Sequence, residues 1–333
     1  MKAFDLLLPK SLDEAVKALP TQDKHGERSK ALVMAGGQDL IGTMKDHLEA
    51  PDLVVNLKSI PGLDQIEWTK DGGLEIGALV TLERIENDAD IKKQFRALSE
   101  AATAVASPQI RAVGTIGGNL CQRPRCLYFR SEHTPCLKKG GTECFSYLGN
   151  SKYNAIFGGG PSYIVHPSDV APALVAYDAE VDVMGPNGSR TVALRDFYVL
   201  PGDGDPTKET VLGPNEVVTK IRVPAKKAGW PATYLKVRER DAFDFALSAV
   251  AMVLDVRAGK VQEASVVLGG VAPIPWHSPE AEDALTGKSI GPEVAMAAGT
   301  AAVEWAEPLS MNEYKVPMTK GVIAKAAERL AVL

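Results

Sequence analysis

All four cysteines of this 333-residue chain lie in one stretch, at Cys121, Cys126, Cys136 and Cys144. Their spacing is C-x4-C-x9-C-x7-C. We expect a reducing compartment, because the N-terminal segment lacks the long apolar core and cleavage site of a signal peptide. Clustered thiols in such a compartment indicate a metal site before disulfides. Two disulfides become the alternative if the chain is exported.

The spacing leaves the kind of metal site open. Structural zinc sites use paired C-x2-4-C knuckles and ferredoxin-type clusters use C-x2-C runs, and only the first gap here comes close to either. Four thiolates in one loop could still complete a tetrahedral or cubane site, and His133 could replace one of them. The basic residues that surround them are Arg111, Arg123, Arg125, Arg130, Lys138 and Lys139, against Glu132 and Glu143. This basic shell is expected to stabilise thiolates and an anionic cluster. Four unrelated buried cysteines are the weaker explanation.

The overall charge excludes two classes of function. Lys+Arg 37 against Asp+Glu 42 gives a net charge of -5, which argues against a dedicated nucleic-acid or membrane-surface binder. No apolar run approaches the roughly 20 residues of a membrane-spanning helix. We therefore expect a cytoplasmic protein, unless a partner with a twin-arginine signal carries the chain to the periplasm.

Two glycine pairs are candidates for phosphate binding. They lie in VMAGGQDL (33–40) and TIGGNL (115–120), and each is predicted to follow an apolar strand. A glycine pair in that position lets backbone N–H groups close on a phosphate without an intervening side chain. No G-x-G-x-x-G fingerprint occurs, and a single pair of this kind is compatible with a simple tight turn.

The hydrophobic pattern mixes helices and strands without internal repeats, which indicates an α+β fold. Ser11 and Glu14 form a capping box at the start of the first helix. A Pro/Gly/Lys-rich break near 225–231 marks a domain boundary. The predicted helices are 12–19, 39–47, 91–106, a helix that begins at 279, and 319–331. The predicted strands are 31–35, 53–57, 74–80, a hairpin at 180–192, and strands within 245–272 that pair across Ala258-Gly259.

Six longer motifs carry a family resemblance. In order they are MAGGQDLIGTMK, SPQIRAVGTIGGNL, HPSDVAPAL, PNEVVTKIRVP, YLKVRERDAFDFALSAVAMVLDV and VVLGGVAPIPW. Together they resemble the FAD-binding subunit of the molybdenum hydroxylases, which include xanthine dehydrogenase, carbon monoxide dehydrogenase and bacterial aldehyde oxidoreductases. The resemblance implies a vanillyl-alcohol-oxidase-like (PCMH-type) FAD-binding domain of two α+β subdomains over 1–225. A smaller α+β domain, of the CO dehydrogenase flavoprotein type, is expected over 226–333.

The resemblance also implies a set of FAD-binding residues. The residues expected to cradle the FAD diphosphate are Ala35, Gly36, Gly37, Gln38, Asp39, Leu40, Thr115, Gly117, Gly118 and Asn119. Asp169 is expected at the adenosine ribose, and Lys236 near the isoalloxazine.

One departure from most relatives concerns the cysteines. Residues 121–165 are inserted between GGN and HPSD. A subset of the family, 4-hydroxybenzoyl-CoA reductase and aldehyde oxidoreductases, resembles this chain in having such an insertion, and there it binds a [4Fe-4S] cluster. RCLYF and TPC look most like the aldehyde oxidoreductase branch. The expected ligands are Cys126, Cys136, Cys144 and, as the fourth, Cys121.

The resemblance implies an electron-transfer subunit without a catalytic acid or base of its own. Its expected partners are a large molybdopterin-binding subunit, a small [2Fe-2S] subunit and an external acceptor, which is ferredoxin, quinone, oxygen or NAD. Alternatives are the flavin subunit of a 4-hydroxybenzoyl-CoA reductase-type enzyme, a self-contained FAD oxidoreductase, and a zinc-stabilised binding module in which the glycines only form turns.

Overall fold

A computed structural model describes residues 1–20 and 31–331 of the chain. Within these ranges the strands form three sheets, and the buried apolar side chains form three hydrophobic cores. The predicted α+β class is confirmed. None of the helices in the described ranges is long and apolar enough to cross a membrane.

The N-terminal part is a small parallel sheet covered by a helix. Its elements are β1 (Asp5–Leu7), α1 (Leu12–Ala18), β2 (Ala31–Met34), α2 (Leu40–Lys45) and β3 (Leu53–Asn56), with the strands in the order β1-β3-β2. The Ser11 hydroxyl accepts a hydrogen bond from the Glu14 N–H at 3.2 Å, which satisfies one of the free amides at the start of α1. The helices predicted at 12–19 and 39–47 and the strands predicted at 31–35 and 53–57 are confirmed as α1, α2, β2 and β3.

The middle part is an antiparallel sheet with helices packed on it. Its strands are β4 (Ile66–Trp68), β5 (Leu74–Gly77), β6 (Glu180–Gly185), β7 (Gly188–Ala193) and β8 (Val217–Val223), in the order β4-β5-β8-β6-β7. The helices of this stretch of chain are α3 (Leu82–Asn87), α4 (Ala89–Gln94), α5 (Arg96–Ala104), α6 (Pro108–Arg111), α7 (Ile116–Leu120), α8 (Leu127–Arg130), α9 (Val170–Ala176) and α10 (Leu194–Phe197).

Two boundaries in the middle part differ from the sequence prediction. The helix expected over 91–106 is two helices, because Phe95 leaves the helical conformation and is fully buried in the core between them. The strand expected over 74–80 ends at Gly77, where the Val80 N–H bonds to the Gly77 carbonyl and closes a turn.

The C-terminal part is an antiparallel sheet backed by three helices. Its elements are β9 (Ala232–Val237), β10 (Ser248–Arg257), β11 (Lys260–Gly269), β12 (Trp276–His277), α11 (Pro279–Leu285), α12 (Pro292–Ala301) and α13 (Lys315–Ala331). The predicted turn between β10 and β11 is confirmed, with φ of 50° at Ala258 and 72° at Gly259. Helix α13 begins earlier than predicted because Pro317 falls in its first turn, where the missing N–H removes no helical hydrogen bond.

The cysteine-containing stretch crosses from the middle part to the C-terminal part. Apart from α8 and a short 3₁₀ turn, it is built of turns and irregular chain. Its end is held by the turn before α13, because the Asn312 side-chain amide donates to the carbonyls of Asn154 and Ala155 at 3.0 and 3.1 Å. Ile156 and Phe157 then join the C-terminal core. This stretch is therefore anchored at its C-terminal end.

Candidate functional site

A cleft of about 520 Å³ lies where the N-terminal sheet meets the middle part and the loop after β9. It is lined by every residue predicted to bind FAD except Lys236: Ala35, Gly36, Gly37, Gln38, Asp39, Leu40, Thr115, Gly117, Gly118, Asn119 and Asp169. The two glycine segments are far apart in the sequence, and the fold brings them to one site. A volume of this size is in the usual range for ligand sites, about 300–1,000 Å³.

The first glycine pair forms an open turn directly after β2. Gly37 has a φ of +74°, which favours glycine, and a Cβ on Gly36 would lie 2.4 Å from the Val113 carbonyl oxygen. The backbone N–H groups of residues 36–39 donate to no other described residue. Consecutive free amides of this kind suit the oxygens of a diphosphate. The first segment therefore fits the predicted phosphate-binding role.

The second glycine pair has a different structure from the prediction. Gly117 and Gly118 lie inside α7, which follows α6 rather than a strand. Their amides are already used, since Gly117 N–H donates to the Ala78 carbonyl at 2.9 Å and Gly118 N–H to the Thr115 hydroxyl at 3.2 Å. A Cβ on Gly117 would lie 2.9 Å from Ala78. The prediction of a second free-amide turn is wrong, because these glycines permit close packing instead.

Asn119 joins the second glycine segment to the HPSD segment. Its side-chain oxygen accepts a hydrogen bond from the Ser168 hydroxyl at 2.5 Å. The neighbouring Asp169 is buried, with its Oδ2 2.8 Å from Lys236 Nζ and its Oδ1 bonded to the Tyr234 hydroxyl at 2.7 Å. Burial and the Asp169 charge hold the pKa of Tyr234 well above its ordinary value.

The contact between Asp169 and Lys236 conflicts with their expected roles. The resemblance placed Asp169 at the ribose end of FAD and Lys236 at the isoalloxazine end. An extended dinucleotide separates those ends, whereas the two side chains form one ion pair and Lys236 Nζ also donates to the Ala104 carbonyl at 3.1 Å. The two side chains therefore lie together at one position beside the cleft, which Asp169 lines, rather than at its two ends.

The four cysteines are divided between two places. Cys121 lines the cleft, and burial, followed by the charge of Glu209, raises its pKa to about 12. Cys126 lines a neighbouring cavity of about 300 Å³. A hydrogen-bonded chain leads from Cys126 Sγ through the Asn154 amide (3.8 Å) and the Ser146 hydroxyl (3.1 Å) to Cys144 Sγ (3.0 Å).

Cys136 lies near Cys126, and the Leu137 N–H donates to the Glu143 carbonyl at 2.8 Å, which brings Cys136 near Cys144. Burial raises the pKa of Cys136, the positive charge of Lys139 lowers it, and the nearby Cys126 raises it. No three His, Cys, Asp or Glu side chains in the described part of the chain are close enough to hold a metal ion. The predicted site with all four cysteines is thus not assembled: Cys121 is fixed at the end of α7 against the middle core, and the other three are not close enough to hold one ion.

The predicted basic shell is also arranged differently. Five of its six members pair with carboxylates rather than with thiols: Arg111 with Glu86, Arg123 with Glu49 and Glu209, Arg125 and Arg130 with Asp39, and Lys138 with Glu209. Lys139 is the member whose pKa is affected by thiols. Burial is the largest effect and lowers the pKa of Lys139, and the thiols of Cys136 and Cys126 raise it. Each arginine finds a nearer carboxylate once the chain folds.

Arg123 and Arg125 are cleft residues that the sequence analysis did not assign to FAD. Both line the cleft, and Asp39 connects them to the first glycine turn. Asp39 accepts from the Arg123 backbone N–H at 2.7 Å and pairs with Arg125 Nη1 at 2.8 Å. The signal was present, since both follow the GGN segment within a few residues, but their proximity to cysteines suggested a different role.

The free-amide turn and the cleft between two α+β units define the class of this protein as an FAD-binding flavoprotein. The family FAD binding domain in molybdopterin dehydrogenase matches residues 2–226, and the CO dehydrogenase flavoprotein C-terminal domain matches 233–330. The chain belongs to this family of FAD-binding subunits of molybdenum-dependent oxidoreductases, which confirms the resemblance and the expected FAD.

Similar proteins cover nearly the whole chain. The aldehyde oxidoreductase FAD-binding subunit PaoB of Escherichia coli K12 is 36% identical over 88% of this chain and 89% of its own length. The nicotinate dehydrogenase FAD-subunit of Eubacterium barkeri is 30% identical over 86% of this chain and 81% of its own length. The structure of reconstituted CO dehydrogenase from Oligotropha carboxidovorans matches with a TM-score of 0.76 and 27% identity, covering 99% of this chain and 98% of that chain.

Proposed function

We propose that this chain is the FAD-containing electron-transfer subunit of a molybdenum-dependent oxidoreductase of the aldehyde oxidoreductase type. The observation that carries the proposal is the 36% identity to PaoB over most of both chains. Bound FAD supplies the ability to take electrons from one-electron centres and pass them to an external acceptor.

The cleft supports a holding role for this chain rather than acid–base catalysis. Its charged side chains are paired with each other or with near neighbours, as Asp169 is with Lys236 and Asp39 with Arg125. A self-contained FAD oxidase needs a base that is free to take a proton from substrate. No carboxylate in the described part of the cleft is free to take a proton in this way. This favours the electron-transfer subunit over the self-contained enzyme.

The proposed partners are a large molybdopterin-binding subunit and a small [2Fe-2S] subunit. Relatives named as medium chains, such as that of CO dehydrogenase from Afipia carboxidovorans, support this assembly. The proposed external acceptor is ferredoxin, quinone, oxygen or NAD. In a 4-hydroxybenzoyl-CoA reductase-type enzyme, the alternative, electrons run in the opposite direction.

We also propose that Cys126, Cys136 and Cys144 bind a [4Fe-4S] cluster. The hydrogen-bonded chain through Asn154 and the closeness of Cys126 to Cys136, whose pKa it raises, support a common site. Thiolates are the ligands that iron–sulfur clusters require, and binding must draw these three closer together. Cys121 would have to leave the cleft to serve as fourth ligand, so we do not assign it.

The test is to co-express the three subunits, purify the complex anaerobically and measure its FAD, iron and zinc contents. About one FAD per chain, with an EPR signal after dithionite beyond those of the [2Fe-2S] centres, is expected. Cys126→Ser should remove that extra signal, and Cys121→Ser should retain it. Flavin with zinc and no extra iron would refute the cluster alone. A complex that takes up no FAD would refute the proposed function.

A further inference from the structure

Among the described residues, the ion pairs around the FAD cleft give each cation a carboxylate of its own except at Asp39. The carboxylates that line the cleft are Asp39, Glu49, Asp169, Glu216 and Asp244, and the cationic side chains that line it are Arg123 and Arg125. Three carboxylates have cations of their own: Asp169 has Lys236, Glu216 has Arg190 and Asp244 has Arg240. Arg123, together with Lys138, is balanced by Glu49 and Glu209.

At Asp39 one carboxylate serves two guanidinium groups. Arg125 Nη1 and Arg130 Nη2 lie 2.8 and 2.7 Å from the same oxygen, Oδ1, and Oδ2 accepts the Arg123 backbone N–H. The group therefore carries one positive charge in excess. Buried excess charge is unfavourable unless an opposite charge is bound.

Arg125 is the member of this group that faces the ligand. It lines the cleft, and its Nε is buried without a hydrogen-bond partner among the described residues. Its guanidinium lies 5.0 Å from the centre of the Phe245 ring, which restricts its orientation. Arg130 does not line the cleft, and it donates to the carbonyls of Pro124 and Arg123. Within the Asp39 group the donor without a hydrogen bond thus belongs to Arg125; the Arg123 Nε, which also has none, lies 3.0 Å from Glu209 Oε2.

We propose that Arg125 binds the diphosphate of FAD, opposite the free amides of the first glycine turn. Asp39 is a positioning residue that holds Arg125 there. The inference rests on the proposed function, since it takes FAD as the ligand of the cleft. It means that the inserted cysteine stretch, which contains Arg125, completes the FAD site with the counter-charge that the glycine turn lacks.

The test is an FAD titration of the deflavinated complex, followed by flavin fluorescence. Arg125→Gln is expected to raise the FAD dissociation constant by about 10- to 100-fold, the effect of losing a charge-assisted hydrogen bond. Arg130→Gln is the matched control, because it removes the other guanidinium from Asp39 but no cleft donor. Because Arg130 does not line the cleft, we expect this variant to change the constant by less than about threefold. The dissociation constant of ADP, which carries a diphosphate without the flavin, should rise in the Arg125→Gln protein by about the same factor as that of FAD.

Equal effects of Arg125→Gln and Arg130→Gln would overturn the proposal, since both would then act only through the shape of the loop. If the Arg125→Gln complex does not assemble, Arg125→Lys and Arg130→Lys replace the two glutamine variants. We then expect the FAD dissociation constant to increase for Arg125→Lys but not for Arg130→Lys. Unchanged FAD affinity in Arg125→Lys would overturn the proposal. A wild-type complex that binds no FAD would instead refute the proposed function.

Discussion

Lys236 and Asp169 form a buried ion pair, with 2.8 Å between Nζ and Oδ2, although they are far apart in the sequence. Lys236 comes from β9, and Asp169 directly precedes α9. The pair therefore connects the C-terminal sheet to the wall of the FAD cleft. It also shows that two residues assigned to opposite ends of FAD occupy one place.

Lys236→Met should strongly destabilise the protein. The substitution leaves the Asp169 carboxylate buried without its cation, and loss of one partner of a buried pair costs about 3–5 kcal/mol. The free energy of unfolding in urea measures this. Lys226→Met is the matched control, because Lys226 pairs with Glu263 at the surface, where a pair contributes at most about 1 kcal/mol. Equal changes in the two variants would contradict the prediction.

Gly36→Ala should reduce both FAD content and stability. The new Cβ would lie 2.4 Å from the Val113 carbonyl oxygen, so the turn with the free amides must shift. Gly42→Ala is the control, because nothing lies within 4 Å of its Cβ and alanine in a helix is favoured by about 1 kcal/mol. We expect a higher melting temperature and unchanged FAD content for Gly42→Ala. For Gly36→Ala we expect a lower melting temperature and a lower FAD content.

Lys315 should make stability depend on pH. It is fully buried, donates to the carbonyls of Tyr153 and Gly270, and has its pKa lowered by burial to about 7. The unfolded chain keeps the ordinary lysine pKa of about 10.4, so between about pH 7 and 10 the unfolded state binds one proton more. Stability contributed by this residue therefore rises with pH in that window.

The Lys315→Met variant isolates this effect. The difference in unfolding free energy between wild type and variant should increase by up to about 1.4 kcal/mol per pH unit above pH 7 and stay constant below it. Urea unfolding at a series of pH values measures it. A difference that does not change with pH would mean that the two carbonyls keep Lys315 charged.

Asn312→Ala should loosen the end of the cysteine stretch. Its fully buried amide donates to the Asn154 and Ala155 carbonyls, which would be left without these partners. Hydrogen exchange of residues 150–157 should become faster, and the cost in stability should be about 1–3 kcal/mol. Asn87→Ala is the control, since Asn87 is exposed and donates to one carbonyl within its own helix. Comparable exchange in the two variants would contradict the anchoring role.

The residues that could be predicted from the sequence are those whose role depends on neighbours in the chain. The β10–β11 turn follows from Ala258-Gly259, and the start of α1 follows from Ser11 with Glu14. The first glycine turn follows in the same way, because its conformation and free amides depend on a strand and a glycine pair that are adjacent. The order of the longer motifs was sufficient for the family and for FAD.

The contacts decided by tertiary structure are those between distant segments. Nothing near Arg125 in the sequence indicates that Asp39 will hold it, and the nearby cysteines pointed to another role. Cys121 looked equivalent to the other three cysteines until the fold placed it on the cleft. The Asp169–Lys236 pair depends on how two domains pack. Charge pairing acts through space at a few ångströms, so its partners are set only once the chain has folded.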